Sequence, residues 1–279
     1  NLPPNYTGSD IGRATSFAAN ALLGKVYLQK GDNASAVTVL RKVVFPGSPY
    51  SLLTNYADIW TPGTKNSPES IFEIQFLPPL NGCPFWNFFA PPSLNVPGGT
   101  NGSTSPNTPT QDLINAYEAG DTRLAASIAY DPGGRPYIKK FKDPGVAVGN
   151  DANTDFPILR YADAKLLLAE ALGETTEAYG QINDVRQRAN LGPISSATPG
   201  TFIEKLMHER QVELAFECHR WHDLLRMGQS AAISIMNTNL AHEFPGNNIS
   251  IDAHNLLAPI PNTELQTNTL VKQNPGYSN

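Results

Sequence analysis

The sequence predicts a mainly α protein: a tetratricopeptide-like scaffold of helical hairpins with long loop insertions and a few short strands. Three observations carry that expectation. Stretches 12–46 and 157–192 share the spacing of a helical hairpin. A loop-rich insertion, 78–156, separates them. A long helical pattern then covers 201–227.

Residues 13–31 read as a helix ended by Gly31, and 33–45 as its partner, stopped by Pro46. Leu23-Gly24, Tyr27 and Ala36 fall at hairpin positions where two helices approach closely, although Asn20 stands where the repeat favours an aromatic. Residues 69–77 alternate Ile71, Glu73 and Gln75 against Phe72, Ile74 and Phe76, a short strand. Residues 78–110 are rich in Pro, Gly, Asn, Ser and Thr, and such a long loop marks a functional segment or disorder. A helix is expected over 110–118 with Thr110 as its cap, and 120–150 reads as loop with short extended pieces. Residues 157–172 read as a strong helix with Pro157 at its start, followed by a partner ended by Gly192. Ala178, Ile182 and Val185 repeat the second-helix spacing of the first hairpin. After the long helix, 230–279 read as mixed short elements.

Composition limits the function classes. The 279 residues carry a net charge of −5, which argues against general nucleic-acid binding. No run approaches the roughly 20 apolar residues of a membrane span. Cys83 and Cys218 are too few for a disulfide framework; two free thiols are the preferred reading, and one bridge is the alternative. The opening residues lack a methionine and a signal sequence, so the chain reads as a cut or processed product and its parent's destination stays open.

His208-Glu209 begins like a zinc-binding helix, but Val212 stands where the second histidine is required. Cys218 points roughly 100° away from His219 on a helix of 3.6 residues per turn, so no metal ligand set is assigned. Arg210, Glu213, Glu217 and Arg220 are spaced to pair along one helix face. Arg210 interrupts one apolar stripe, and Glu209, Glu213 and Arg220 a second, which predicts buried, paired charges that orient the helix. An acid/base pair of Glu209 and Glu213 is the alternative. The loop cluster of Phe85, Trp86, Phe88 and Phe89 offers a different chemistry. It either caps the core or leaves rings exposed to stack on sugar C–H faces, with Asn81, Asn87 and the polar 95–110 segment meeting hydroxyls. Trp86, with the widest ring, is the first choice.

The helix HERQVELAFECHRWHDLLRMG resembles the signature of the SusD/RagB family of outer-membrane glycan-binding lipoproteins. The matching positions are Glu209-Arg210, Glu213-Leu214, Phe216-Glu217, Arg220-Trp221, Asp223-Leu224 and Arg226. Cys218 replaces the usual glycine and His222 the usual aromatic. Further blocks agree in order, among them 12–32, 70–76, 109–124, 156–172, 182–189 and 256–277. The resemblance implies one SusD/RagB-like domain over 1–279, corresponding to the C-terminal part of a longer member. It implies a surface-exposed outer-membrane lipoprotein of Bacteroidetes-type bacteria, with its lipid anchor on a missing N-terminus. Such a protein binds oligosaccharides without catalysis and delivers them to a SusC-like TonB-dependent transporter. Peptide binding or protein docking on the same scaffold is the first alternative, and a glycoside hydrolase the second. No cofactor is expected, and structural calcium is left open.

Overall fold

The computed structural model describes residues 2–94, 107–143, 145 and 151–278. It is mainly helical, with eleven α-helices and four short strands among the described residues. The chain divides into two compact units, 1–220 and 221–279. The single domain expected over 1–279 is therefore described as these two parts.

In the first unit, the expected hairpin forms from α1 (Ser16–Gln29) and α2 (Asn33–Leu40). Thr15 caps α1 by accepting from the amide of Ala18 at 3.1 Å, and Asp32 caps α2 through Ser35 at 3.1 Å. A Cβ at Gly24 would lie 2.5 Å from Leu40 Cγ, so the helices cross where only glycine fits. The second hairpin is α6 (Tyr161–Leu172) and α7 (Thr176–Arg188), with Thr175 capping α7. Helix α2 packs on α6, and both hairpins share a core that includes Ala36, Leu40, Leu167 and Leu168. Burying this apolar face holds the two hairpins together.

Helix α6 is shorter than expected. Phe156–Arg160 are strand β4, antiparallel to β1 (Ser70–Ile74), with Ser70 opposite Arg160 and Glu73 opposite Pro157. Pro157 therefore lies in a two-stranded ribbon, where its missing N–H is tolerated, and does not start a helix. Helix α7 stops before Gly192: Ala189 caps it, and Asn190 takes the left-handed conformation instead.

The insertion contains more regular structure than its composition suggests. It holds α3 (Phe85–Phe89), α4 (Gln111–Ala116) capped by Thr110, and α5 (Thr122–Ser127). Strands β2 (Ile128–Tyr130) and β3 (Pro136–Ile138) form a small antiparallel pair.

The long helix expected over 201–227 is broken. Helix α8 (Phe202–Glu213) opens with a capping box of Thr201 and Glu204, and α9 (Arg220–Arg226) follows a turn. Phe216 and Cys218 in that turn have φ of +68° and +64°. These left-handed residues cannot continue a right-handed helix. The glycine usual at position 218 in the resembling signature suits that conformation, and cysteine occupies it here at some cost.

The second unit holds most of α9, then α10 (Gln229–Glu243) and α11 (Asn262–Thr267). The fifteen-residue α10 replaces the mixed short elements expected there. Asn237 fastens it by bonding both the amide and the carbonyl of Ile251, at 2.7 and 3.0 Å. No helix among the described residues is long and apolar enough to cross a membrane.

Candidate functional site

The signature carboxylates enter the core as predicted, but with different partners. Glu209 and Glu213 are wholly buried, one turn apart on α8. Arg123 of α5 donates to Glu209 at 2.6 Å, to Glu213 at 3.0 Å and to Asp121 at 2.8 Å. Arg160, at the end of β4, donates to Glu69 at 2.7 Å, Glu213 at 2.9 Å and Glu217 at 2.7 Å. Arg188 of α7 joins Glu69 and Glu213, and Lys140 reaches Glu217 at 2.6 Å. Arg210 lies 3.0 Å from Asp163 of α6.

The pairing along one helix face expected for Arg210, Glu213, Glu217 and Arg220 is thus replaced by pairing between elements. The turn after Glu213 takes Glu217 and Arg220 off the α8 helical register, and Arg220 donates to the Met207 carbonyl at 3.2 Å. Asp223 and Arg226 pair with each other at 2.6 Å, while Trp221 is partly exposed.

This frame explains the electrostatics. Burial pushes Glu213 up, but Arg188, Arg160 and Arg123 outweigh it and hold the carboxyl far below its usual range. Glu217 is lowered in the same way, with Arg160 and Lys140 opposing its burial. At Glu209 burial prevails over Arg123 and Arg186 and raises it. Burial pushes Lys140 down to about 8 despite Glu217. His219 is pushed down to about 4 by burial, and its Nδ1 accepts from Lys25 at 2.8 Å. Glu209 and Glu213 are shut off from solvent and saturated by guanidinium groups, so they serve the frame and reach no substrate. The residues missed in the sequence are Arg123, Arg160, Arg188 and Lys140, with the carboxylates Glu69, Asp121 and Asp163. Arg160 gave a signal, a lone charge just ahead of the apolar run of α6.

The aromatic loop is ordered by the core beneath it. Leu77 and Asn81 exchange two backbone hydrogen bonds, 2.8 and 2.9 Å, closing a tip made of Pro78, Pro79 and Leu80. Gly82 crosses Asp151 so closely that a Cβ would stand 2.3 Å from its Cα, and Cys83 then bridges to Ala152. Both cysteines are free thiols.

On α3, Phe85 and Phe89 lie one turn apart and pack among Phe141, Phe156 and Phe76. At roughly 100° per residue, Trp86 and Phe88 fall on opposite flanks of that inward face. Trp86 is buried, 4% exposed, against Tyr137 and Ala90, with Lys142 over its ring at 5.6 Å. This corrects its choice as the exposed platform: its wide ring fills the space beneath the loop. Asn87 is buried too, whereas Phe88 is 44% exposed and Asn81 is exposed. Of the polar 95–110 segment, residues 95–106 lie outside the described residues.

A separate open cleft of about 320 Å³ lies between residues 4–15, 49–50 and 66–73, where Tyr6, Tyr50 and Phe72 meet Arg13, Asn66 and Glu73. No cluster of three or more His, Cys, Asp or Glu with metal-binding geometry occurs among the described residues.

A model of the SusD family matches residues 119–277. SusD-like protein P25 of Formosa agariphila is 26% identical over 98% of this chain and 60% of its own length. A SusD-like protein of Bacteroides ovatus is 31% identical over 78% of this chain and 46% of its own. The chain thus spans about 60% or less of these relatives. Among solved structures, a laminarin binding SusD-like protein superposes with a TM-score of 0.74 at 28% identity, covering 99% of this chain and 66% of that one. Surface glycan-binding protein A from Bacteroides thetaiotaomicron gives 0.80 at 20% identity, over 98% and 66% of the two chains, a likeness of fold. With a family model covering more than half of its length, and a helical-hairpin scaffold shared with SusD-superfamily structures, the chain belongs to the SusD family.

Proposed function

We propose that the protein binds oligosaccharides without transforming them. The observation that carries this reading is the SusD family match over residues 119–277. It is supported by the likeness to a laminarin binding relative. On the loop, Phe88 offers the ring face for a sugar and Asn81 an amide for its hydroxyls. The finer reading, inferred from the family, is capture at the bacterial outer-membrane surface by a lipid-anchored protein. The glycan would pass to a SusC-like TonB-dependent transporter.

Isothermal titration against an oligosaccharide panel that includes laminarin-type β-glucans tests both the function and the site. Phe88→Ala is expected to weaken binding by about tenfold, the loss of one stacking contact. Unchanged affinity in that variant removes Phe88 from the site. No binding to any sugar overturns the glycan reading for this chain.

A further inference from the structure

The insertion leaves β1 and returns to β4 through a neck clasped by polar side chains. Asp155, one residue ahead of β4, accepts from the Phe76 amide of the outgoing chain at 2.8 Å. Lys65 lies 3.0 Å from the same carboxyl oxygen and donates to Asn153 at 2.8 Å and to the Phe76 carbonyl. Glu73, on β1, accepts from the Asn66 amide. The outgoing chain, the returning chain and the turn ahead of β1 therefore meet at two carboxyl groups, Glu73 and Asp155.

Both groups are shut away from water. Glu73 is 7% exposed and the Asp155 side chain 2%. They lie within hydrogen-bonding reach of each other. Among the described residues, Lys65 is the cation paired with them. Two buried carboxylates facing one ammonium would leave a surplus negative charge, which a low dielectric makes costly. The second Asp155 oxygen, Oδ2, is buried and accepts from no donor among the described residues. A buried carboxylate oxygen calls for a donor, and the group that faces Asp155 is Glu73. Burial raises the Glu73 carboxyl against its bonds to Ser70 and Asn66, and Asp155 reinforces the rise. The other charged and titratable groups around the neck leave the balance unchanged. Arg13, on the rim of the cleft that Glu73 lines, is exposed and paired with Asp10 at 3.0 Å. Asp143 accepts from the Asn153 amide at 2.8 Å, and burial pushes the Cys83 thiol up, which keeps it neutral.

We propose that Glu73 keeps its proton in the folded protein and donates it to Asp155 Oδ2, so that one shared proton closes the neck of the insertion and its loss loosens the neck. The open cleft beside Glu73 gives water a path to the group. Glu73 here is a positioning residue, and the inference does not depend on which ligand the insertion binds. An unfolded glutamate titrates near about 4.3. The folded value lies above that, so the stabilisation is complete below about pH 4.3 and is lost as pH rises through the folded value.

Hydrogen exchange at the Phe76 amide, which Asp155 holds, reads the clasp in the 279-residue chain. Glu73→Gln offers an amide donor to the same oxygen and has no proton to lose. Parent and variant are expected to be equally protected near pH 4.3. Above it, the parent should lose protection relative to the variant by about tenfold per pH unit until Glu73 has ionised. Asp155→Asn gives Glu73 an amide in place of the carboxylate, so the same pH dependence is expected to disappear there too. Equal protection of parent and Glu73→Gln at every pH overturns the inference. A Glu73→Gln variant that fails to fold, or is less protected than the parent at pH 7, also overturns it, because Glu73 is then ionised and held by Lys65. An Asp155→Asn variant that still follows the parent's profile overturns it as well, since the proton is then not shared.

Discussion

Replacing Glu213 by glutamine tests whether the buried charge frame holds the first unit together. The carboxylate is wholly buried and accepts from Arg123 at 3.0 Å, from Arg160 at 2.9 Å and from Arg188. Glutamine keeps the shape but removes the charge, and its amide N–H₂ turns a donor toward guanidinium donors. Breaking a buried pair costs about 3–5 kcal/mol. The lower end applies, because Glu69, Glu209, Glu217 and Asp121 remain on the same arginines. A loss of about 3 kcal/mol in a unit of this size lowers the melting temperature by about 6–12 °C. Urea unfolding followed by tryptophan fluorescence reads it directly, since the Trp60 ring lies 4.1 Å from Lys140 Nζ within the frame. The midpoint should fall while the slope stays constant. Glu177→Gln is the control: its pair with Arg41 is about half exposed and is worth under about 1 kcal/mol. If Glu213→Gln costs no more than Glu177→Gln, the frame does not hold the unit together and the reasoning fails.

Two further predictions test the packing. Gly24→Ala gains about 1 kcal/mol of helix propensity but drives a methyl into Leu40, and overpacking costs about 1–3 kcal/mol. A net loss of about 1 kcal/mol is expected in urea unfolding, and a raised midpoint would refute the close crossing. His219 titrates near 6.5 when unfolded and near 4 when folded. A depressed folded pKa gives stability that is present above pH 6.5 and lost as pH falls toward 4, about 2–3 kcal/mol by pH 4.5. His219→Asn should lack that part of the pH dependence, and an unchanged profile in the variant would remove the residue from the account.

The hairpins were legible because helix crossings leave small residues at fixed spacing: Gly24 and Ala36 in the first, Ala178 in the second. Strand β4 was not, because Phe156–Arg160 run into α6 without a break in apolar character, and pairing with a strand over eighty residues earlier decided the matter. Helix α10 was hidden by its Asn, Ser and Thr content, which lowers helix propensity until tertiary bonds such as those of Asn237 compensate. The signature helix announced buried charges through its interrupted stripes. Its partners were invisible, because they come from α5, β4 and α7. In the loop, composition located the aromatic cluster but not its orientation. Which ring faces water follows from the phase of a helix only five residues long.

The β1–β4 ribbon has a consequence for how such a protein diversifies. The chain leaves the scaffold at Ile74 and returns at Phe156, two residues paired in register at the end of the ribbon away from the Glu69–Arg160 ion pair, and the chain between them returns to the core at Arg123 and Lys140. The excursion between them therefore starts and ends at one fixed gate. Lengthening a loop hung from a closed gate costs free energy only as the logarithm of its length. Surface segments there are free to be exchanged or extended by natural variation while the helical chassis stays constant. New recognition surfaces can thus arise without a new fold.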